Sequence, residues 1–281
     1  PKHASHVAGA VRRLLEDAAV ASVAEVRPDA IQAALARLKT VRSARTANHA
    51  LGAVRAFLRW LEAAARIEAA PKGVLALRPF NEAADRRLVR RALSAAELAR
   101  LLEATESGPE IVARREGRGG RVLATLTGSD RAGLYRLALG TGFRANELRS
   151  LTPESFDLGD TPTVTVHAAY SKRGRDDRQP ITRGLADLLR PWLAGRRPGE
   201  PVLAVPGKAA AVLADDPARA GIPPEGGGFH SLRHTFISGL IERGTDPKTV
   251  QELARHSTIT LTIDRYSHSG DDRKRKALEG E

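Results

Sequence analysis

The spacing of apolar residues between about 43 and 67 predicts one long helix. Apolar residues recur there at alternating three- and four-residue steps and so fall on one stripe: Leu51, Val54, Leu58, Leu61 and Ala65. Two earlier stretches, VAGAVRRLLEDAA and PDAIQAALARLK, also have helical patterns. Because an apolar stripe must be buried against other elements, we expect residues 1–80 to form a helical domain.

The helical pattern breaks down between Ala70 and about Ala92. Two prolines and a run of arginines replace it, and we interpret residues 81–93 as a basic linker between domains. The sequence Ser94-Ala-Ala-Glu97 is a capping box, in which serine caps a helix and glutamate bonds back to it. A second domain, residues 94–281, is therefore expected to begin at this point.

The second domain contains further helical patterns and one predicted β-hairpin. TVTVHAAY and RQPIT flank the turn-forming stretch KRGRDD, which places Lys172 near the tip of the hairpin. Residues 105–129, by contrast, are rich in glycine and charge and are expected to be irregular. The predicted fold class is mainly α with a small antiparallel β-sheet, an α+β domain that follows a helical one.

The charge balance indicates an anionic partner. The chain has 281 residues, and its 45 basic against 33 acidic residues give a net charge of +12. Eight of the basic residues are lysine, so 37 are arginine. Arginine pairs with phosphate through two parallel hydrogen bonds, so this surplus favours nucleic acid or another polyanion. A solvated basic surface with no ligand is the alternative.

Several classes of protein are excluded by composition. The chain has no cysteine, which rules out disulfides, cysteine-ligated zinc and thiol catalysis. The first twenty residues lack the apolar run of a signal peptide, and no uncharged stretch approaches membrane-spanning length. We therefore expect a soluble, cytoplasmic protein.

Five residues, in the order Arg144, His230, Arg233, His256 and Tyr266, favour phosphodiester chemistry. They lie in TGFRANEL, FHSLRHTF and LARHSTITLTIDRYSH. Arginine forks match the charge that develops on the non-bridging oxygens during phosphoryl transfer. A tyrosine hydroxyl, with a pKa near ~10, becomes a useful nucleophile where nearby cations favour the phenolate. The set therefore predicts cleavage of nucleic acid through a phosphotyrosine bond.

These motifs, taken in order with the lysine hairpin, resemble the tyrosine recombinase (phage integrase) family over residues 94–268. The resemblance implies a helical core-binding domain followed by a tyrosine-recombinase-like catalytic domain. It also implies a site-specific DNA recombinase that cleaves and rejoins strands through a covalent 3′-phosphotyrosine intermediate. One position departs from the family pattern: Arg255 stands where glycine is usual before the second histidine.

The resemblance implies roles for the residues that match. Arg144 and Arg233 would hold the scissile phosphate, Glu147 would orient Arg144, and Tyr266 would attack phosphorus.

The remaining matched residues would donate or accept protons or hydrogen bonds. Lys172 would protonate the departing 5′ oxygen, His230 would act as an acid or base near the nucleophile, and His256 would donate to a phosphate oxygen. The phosphotyrosine bond retains the energy of the broken linkage, so no cofactor or metal is expected.

The resemblance also implies partners: double-stranded DNA, four copies assembled on two DNA sites, and accessory DNA-bending proteins. Basic residues off the apolar stripe and in the linker are candidate DNA contacts, namely His49, Arg55, Arg59, Arg90 and Arg91. Any one of them could instead be a solvated charge.

Two other functions on the same scaffold remain open: a catalytically silent DNA-binding protein and a type IB-like topoisomerase. His230 and His234 are four residues apart, a spacing that suits zinc, but the segment lacks the glutamate of a metalloprotease. The other two tyrosines, Tyr135 and Tyr170, lack the flanking histidines of Tyr266.

Overall fold

The structure, a computed structural model, describes residues 2–85, 87, 91–114, 122–171, 174–202, 213–224 and 228–260. Contacts divide the chain into two compact units, Pro1–Val89 and Arg90–Glu281. Within the described ranges, no helix combines the length and the apolar character that crossing a membrane requires.

The first unit is helical, as its apolar patterns predict. Its helices are α1 (Lys2–Asp17), α2 (Pro28–Val41), α3 (Ala44–Ala63) and α4 (Lys72–Leu75). Proline opens α2 at a position where its missing N–H costs nothing, and the Ser43 hydroxyl accepts a hydrogen bond from the Thr46 amide at the start of α3. The predicted stripe on α3 is buried from Leu51 to Leu61. The helix ends before Ala65, whose φ of 52° lies in the left-handed region.

The segment that follows α3 packs against the first unit. Val74 is fully buried, and the Asn48 side chain both donates to the Phe80 carbonyl, at 2.9 Å, and accepts from its amide, at 2.8 Å. The Asp85 carboxylate accepts from the Ala44 amide at 2.6 Å. The first part of the predicted linker 81–93 therefore lies on the N-terminal end of α3.

The described part of the second unit is mainly helical, with two small antiparallel sheets. In chain order its elements are α5 (Ala95–Glu106), β1 (Ile111–Arg114), β2 (Val122–Leu126), α6 (Gly128–Thr141), α7 (Ala145–Arg149), β3 (Phe156–Asp157), β4 (Thr163–Val166), β5 (Asp177–Pro180), α8 (Arg183–Leu193), α9 (Asp215–Arg219), α10 (Phe229–Glu242) and α11 (Pro247–Leu253). Strand β4 pairs with both β3 and β5. This architecture confirms the predicted fold class.

One sequence prediction for this unit was wrong. Residues 105–129 were expected to be irregular, but β1 and β2 pair antiparallel, with Ile111 opposite Leu126. Apolar and β-branched residues on both sides of the glycine-rich stretch favour strand pairing, and they decide the structure there. The capping box at Ser94, by contrast, is confirmed, since the Ser94 hydroxyl accepts from the Glu97 amide and Glu97 accepts from the Ser94 amide.

The core of the second unit surrounds α6. Leu134, Leu137 and Ala138 of this helix are buried, and the helix contacts α5, α8 and α10. Because this helix is central and buried, the turn that follows it has a fixed position. Arg144, the first predicted site residue, lies in that turn.

Candidate active site

Arg144 is placed by the sharp turn between α6 and α7. Gly142 ends α6 with a φ of 64°, in the left-handed region that favours glycine. A Cβ added there would collide with the Phe236 ring. Arg144 then caps α7, and the Glu147 carboxylate accepts both from the Arg144 amide, at 2.7 Å, and from its Nη1, at 3.0 Å. Arg144 thus presents a part-exposed guanidinium on a fixed backbone.

Arg233 lies on α10 and is buried, with 4% of its surface exposed. Its guanidinium donates to the carbonyl oxygens of Gly142 and Ala254. Arg144 Nη2 donates to the carbonyl oxygen of Arg255 at 3.3 Å. Two arginines from different helices therefore bond to consecutive carbonyls, 254 and 255, of a single turn.

His256 directly follows that turn. The turn ends α11, whose first residue is Pro247 and whose N-cap is Asp246. The His256 amide donates to the Gln251 carbonyl at 3.0 Å, and His256 is buried. The structure therefore brings Arg144, Glu147, Arg233 and the backbone of His256 together, although they are distributed over more than 110 residues of sequence.

Arg255 is a central residue of this arrangement to which the sequence motifs assign no role. Its Nη2 donates to Glu147 at 2.7 Å and its Nη1 to Gln179 Oε1 at 2.7 Å. Its Nε lies 3.7 Å from Asp177 Oδ2, and its guanidinium carbon lies 3.9 Å from the centre of the Phe143 ring. One signal in the sequence could have identified Arg255, namely that it stands before His256 where glycine is usual. An arginine at such a position must either be strained or be stabilised by contacts of its side chain.

The site carries an excess of positive charge around one buried carboxylate. Burial raises the pKa of Glu147, but the charge of Arg255, the Arg144 amide and the charge of Arg144 outweigh it, so this pKa lies below its usual value. Burial lowers the pKa of Arg255, while Glu147 and Asp177 oppose that shift. Arg144 and Arg255 thus share the carboxylates of Glu147 and Asp177, while Arg233 is held by backbone carbonyls. The excess of arginine over carboxylate suits an anionic ligand.

His230 is on the first turn of α10 and is exposed. Its ring lies 5.2 Å from the ring of His234, edge to face. The two rings are close because residues four apart lie on the same face of a helix.

The predicted lysine hairpin is formed by β4 and β5, which pair antiparallel from Thr163–Pro180 to Val166–Asp177. Near its tip the Asp176 carboxylate accepts from the Ala168 amide at 2.7 Å.

Three predicted site residues, Lys172, Tyr266 and Arg90, lie outside the described residues. Of the other tyrosines, Tyr135 is buried and donates to Asp216 at 2.8 Å, while Tyr170 is 56% exposed beside the hairpin.

The predicted DNA contacts differ in their surroundings. His49 and Arg59 are exposed on α3. Arg55 instead donates to the carbonyl oxygens of Val74 and Leu77, so it holds the segment around α4.

Arg91 forms a two-pronged pair with Glu97, with Nη1 at 2.7 Å and Nη2 at 2.5 Å from its oxygens. This pairing, with the Ser94 amide, lowers the pKa of Glu97 to about 2.

Comparison with known proteins places this site in a family. Residues 91–273 match the phage integrase family. The chain belongs to that family. The matched range spans every element that carries the site, from Arg144 to His256.

Curated relatives are tyrosine recombinases. The tyrosine recombinase XerD of Mycobacterium tuberculosis (strain ATCC 25618 / H37Rv) is 38% identical over 101 residues, 36% of this chain and 30% of that protein. The tyrosine recombinase XerC of Erythrobacter litoralis (strain HTCC2594) is 31% identical over 137 residues, 46% of this chain and 43% of that protein. The matches span less than half the length of these relatives.

Solved structures share the fold at low sequence identity. The Tn1549 transposon integrase in complex with transposon right end DNA superimposes with a TM-score of 0.69 at 16% identity, covering 95% of this chain and 91% of that one. The XerH site-specific recombinase in a post-cleavage complex with palindromic difH substrate gives a TM-score of 0.69 at 18% identity, covering 92% and 73%.

Proposed function

We propose that this chain is a site-specific DNA recombinase that cleaves and rejoins double-stranded DNA through a covalent 3′-phosphotyrosine intermediate. The observation that carries the proposal is the pair of arginines, Arg144 and Arg233, bonded to consecutive carbonyls directly before His256. Family membership over residues 91–273 supports it. Preorganised cations of this kind stabilise charge that develops on a phosphate without having to reorganise during the reaction.

In the proposed reaction the Tyr266 hydroxyl attacks phosphorus and the bond from phosphorus to the 5′ oxygen breaks. Lys172 protonates the leaving 5′ oxygen, and His230 exchanges a proton with the nucleophile. A 5′ hydroxyl from another strand then attacks the phosphotyrosine, which restores a phosphodiester and frees the tyrosine. Arg144, Arg233 and His256 would contact the non-bridging oxygens throughout. Because these side chains supply the positive charge, the reaction is proposed to need no divalent metal.

Tyr266 is preferred to Tyr135 as the nucleophile for a structural reason. The Tyr135 hydroxyl is buried and bonded to Asp216, and burial together with the Asp216 charge raises its pKa far above the usual value. A phenol in that setting stays protonated and is inaccessible to DNA.

We propose that the exposed face of α3 contacts the DNA backbone. Arg45, His49, Gly52, Ala56 and Arg59 are all exposed and follow one another at alternating four- and three-residue steps. Arg45 and Arg59 thus lie on either side of two small residues, one of which, Gly52, has open space where a Cβ would lie. Small residues allow a helix to approach a duplex closely, and the cations would replace phosphate counterions.

The assembly is proposed to follow the family: four copies on two DNA sites of a mobile element, assisted by DNA-bending proteins. Arg90 and Arg91, both in the linker, are proposed to add phosphate contacts. Acting on cellular DNA would place the protein in the cytoplasm.

A pooled suicide substrate tests the function and selects the recognised DNA sequence in the same experiment. The pool contains duplexes of randomised sequence with nicks at staggered positions, so that a short cleaved fragment diffuses away and leaves the covalent complex trapped. Adducts that survive denaturing gel electrophoresis are recovered with the protein and sequenced. Wild-type protein is expected to form them with or without EDTA, and Tyr266→Phe is expected to form none while binding the same DNA.

The other outcomes are equally informative. Binding without adducts would identify a catalytically silent DNA-binding protein. Adducts with supercoil relaxation but without recombinant products would identify a topoisomerase activity. Adducts formed by Tyr266→Phe would transfer the nucleophile role to the exposed Tyr170.

A further inference from the structure

Arg255 combines two features that rarely occur together. Its φ is 49°, in the left-handed region that residues with a Cβ seldom adopt. Its side chain is only 3% exposed, although arginine is almost never buried without partners. A residue in such a conformation persists only where the surrounding contacts determine its position, and such positions cluster at functional sites.

The Arg255 guanidinium joins elements that carry proposed site residues. Nη2 donates to Glu147 in α7, and Nη1 donates to Gln179 in β5, each at 2.7 Å. Strand β5 pairs with β4 in the hairpin, and Lys172 lies between these two strands in the sequence. The backbone of Arg255 leads directly into His256. One side chain therefore connects the first arginine's helix, the lysine hairpin and the second histidine's turn.

A second set of bonds links Arg255 to Arg144. Glu147 Oε2 accepts from Arg255 Nη2 and from the Arg144 amide, both at 2.7 Å, while Glu147 Oε1 accepts from Arg144 Nη1 at 3.0 Å. The carbonyl oxygen of Arg255 accepts from Arg144 Nη2 at 3.3 Å. Arg255 thus holds Arg144 in two ways, through the Glu147 carboxylate and through its own backbone.

We propose that Arg255 is a positioning residue for strand cleavage, which fixes the orientation in which Arg144 meets the scissile phosphate. This inference rests on the recombinase function proposed above. Arg255 itself is buried beneath Arg144 and acts through Glu147. Glycine would adopt the positive φ of this position at lower steric cost. What the arginine adds is therefore the contacts of its side chain.

The charges around Glu147 support this role. The groups that face it are Arg144 from the start of α7 and Arg255 from the end of α11, and Asp177 in β5 faces Arg255 in turn. Burial raises the pKa of Glu147, and Arg255 is the largest influence that lowers it again. Without Arg255, Glu147 would take up a proton at higher pH and would lose its ionic hold on Arg144.

The test compares single-turnover rates of adduct formation at saturating DNA, on a duplex recovered from the suicide pool. Arg255→Gly suits the left-handed backbone and removes the side chain. Its rate is expected to fall about 100-fold, the scale of a misplacement of about 1 Å at a reacting centre, with DNA affinity nearly unchanged. As the pH is lowered, its rate should begin to fall at a higher pH than the wild-type rate does.

Two further variants separate positioning from folding. Arg255→Lys keeps a charge beside Glu147, so it should restore the acidic side of the pH profile. It lacks the planar fork that reaches Glu147 and Gln179 through two separate nitrogens, so it should remain slower than wild type. Glu147→Gln with Arg255→Gly should be no slower than Glu147→Gln alone, because residues that act as a unit are not additive. Asp216→Asn, which breaks a buried ion pair elsewhere in the unit, controls for lost stability.

The outcomes distinguish this inference from the function on which it rests. Wild-type protein that forms no adduct refutes the recombinase function and the role of Arg255 with it. Wild-type adducts together with a wild-type rate and pH profile for folded Arg255→Gly refute the role of Arg255 alone. Fully additive effects of the Glu147 and Arg255 substitutions, or an equal loss of rate in Asp216→Asn, would do the same.

Discussion

Two buried clusters of arginine and carboxylate lie in the second unit, and they differ in what they leave exposed. In the closed cluster, Arg131 and Asp216 are both 0% exposed, 2.8 Å apart, and Tyr135 and Arg219 add hydrogen bonds to Asp216. In the open cluster, defined by Arg144, Glu147, Arg255, Asp177 and Gln179, the buried members hold Arg144, which is 31% exposed.

The difference separates an ion pair that is closed off inside the unit from one that leaves a cation partly exposed. Arg131 also donates to the carbonyl oxygens of Leu126 and Thr105, so its hydrogen bonds join α6 to α9, β2 and α5 within the unit. Buried pairs of this kind contribute little net stability, but losing one partner leaves an unpaired charge. In the open cluster the same chemistry fixes a cation that remains accessible to a phosphate.

The largest expected effect is on the closed cluster. Asp216→Asn leaves the charge of Arg131 buried without its partner, so the free energy of unfolding should fall by about 3–5 kcal/mol. Tyr135→Phe removes one hydrogen bond to a charged group and should cost about 1.5–3 kcal/mol. Urea unfolding measures both values. At a temperature where each variant is folded, the rate of adduct formation should match that of the wild type; a rate defect would show that lost stability alone slows cleavage.

The open cluster should respond in the opposite way. Arg144→Ala is expected to slow adduct formation by about 10²–10³-fold, the usual loss for one preorganised donor. Its stability should change little, because Glu147 keeps its bond to Arg255. Arg144→Lys should lose less, since lysine retains the charge without the fork. Single-turnover rates and urea unfolding of the three proteins measure the contrast, and near-normal cleavage by Arg144→Ala would contradict the phosphate contact.

Acid pH should reduce the stability that the open cluster contributes, because Glu147 takes up a proton. Because its native pKa is depressed, Glu147 contributes stability that is present above its unfolded pKa of about 4.3 and is lost as the pH falls through the native value. Glu147→Gln should therefore cost about 1–3 kcal/mol near neutrality, less than Asp216→Asn because Asp177 still faces Arg255.

The same variant tests whether the native pKa of Glu147 is lowered or raised. The difference in unfolding free energy between wild type and Glu147→Gln should be constant above about pH 5 and should shrink below about pH 4.3. Glu106→Gln, at a solvent-exposed pair with Arg136, is the control and should show a smaller difference near neutrality. A difference that grew toward acid pH would mean that the native pKa of Glu147 is raised.

The sequence predicted the elements of the fold better than the contacts of the site. Periodicity and caps were enough for α3 and for the helix that begins after Ser94, because both signals are local. Resemblance selected Arg144, Glu147, Arg233 and His256, and their catalytic roles stay predictions.

The open cluster as a whole was not predictable from local signals. Arg255 meets Gln179 across 76 residues and Glu147 across 108, and neither spacing carries a pattern. The β1–β2 hairpin was missed for a different reason, since its glycines and charges masked the strand-forming residues Ile111, Val112 and Val122. Tertiary pairing decided both cases.

The comparison extends, with the smallest expected effect, to arginines that are fully on the surface. The slope of log affinity against log salt is negative, and losing one phosphate contact makes it shallower. Arg59→Ala and Arg45→Ala on the exposed face of α3 should each reduce its magnitude by about 0.9, the value for one contact on duplex DNA. Neither change should alter the free energy of unfolding, because neither side chain is buried. Fluorescence anisotropy with the recovered duplex, from about 50 to 200 mM salt, measures the slope.

Arg37 provides the matched control, since it is exposed in the same unit but is paired with Asp17 at 3.3 Å. Arg37→Ala should leave the slope unchanged. Arg55 is unsuitable for this purpose, because its bonds to the Val74 and Leu77 carbonyls mean that its loss would also loosen the unit. Equal slopes for wild type, Arg45→Ala and Arg59→Ala would remove α3 from the DNA interface. An equal drop for Arg37→Ala would mean that the whole basic surface, and not one face of α3, attracts the duplex.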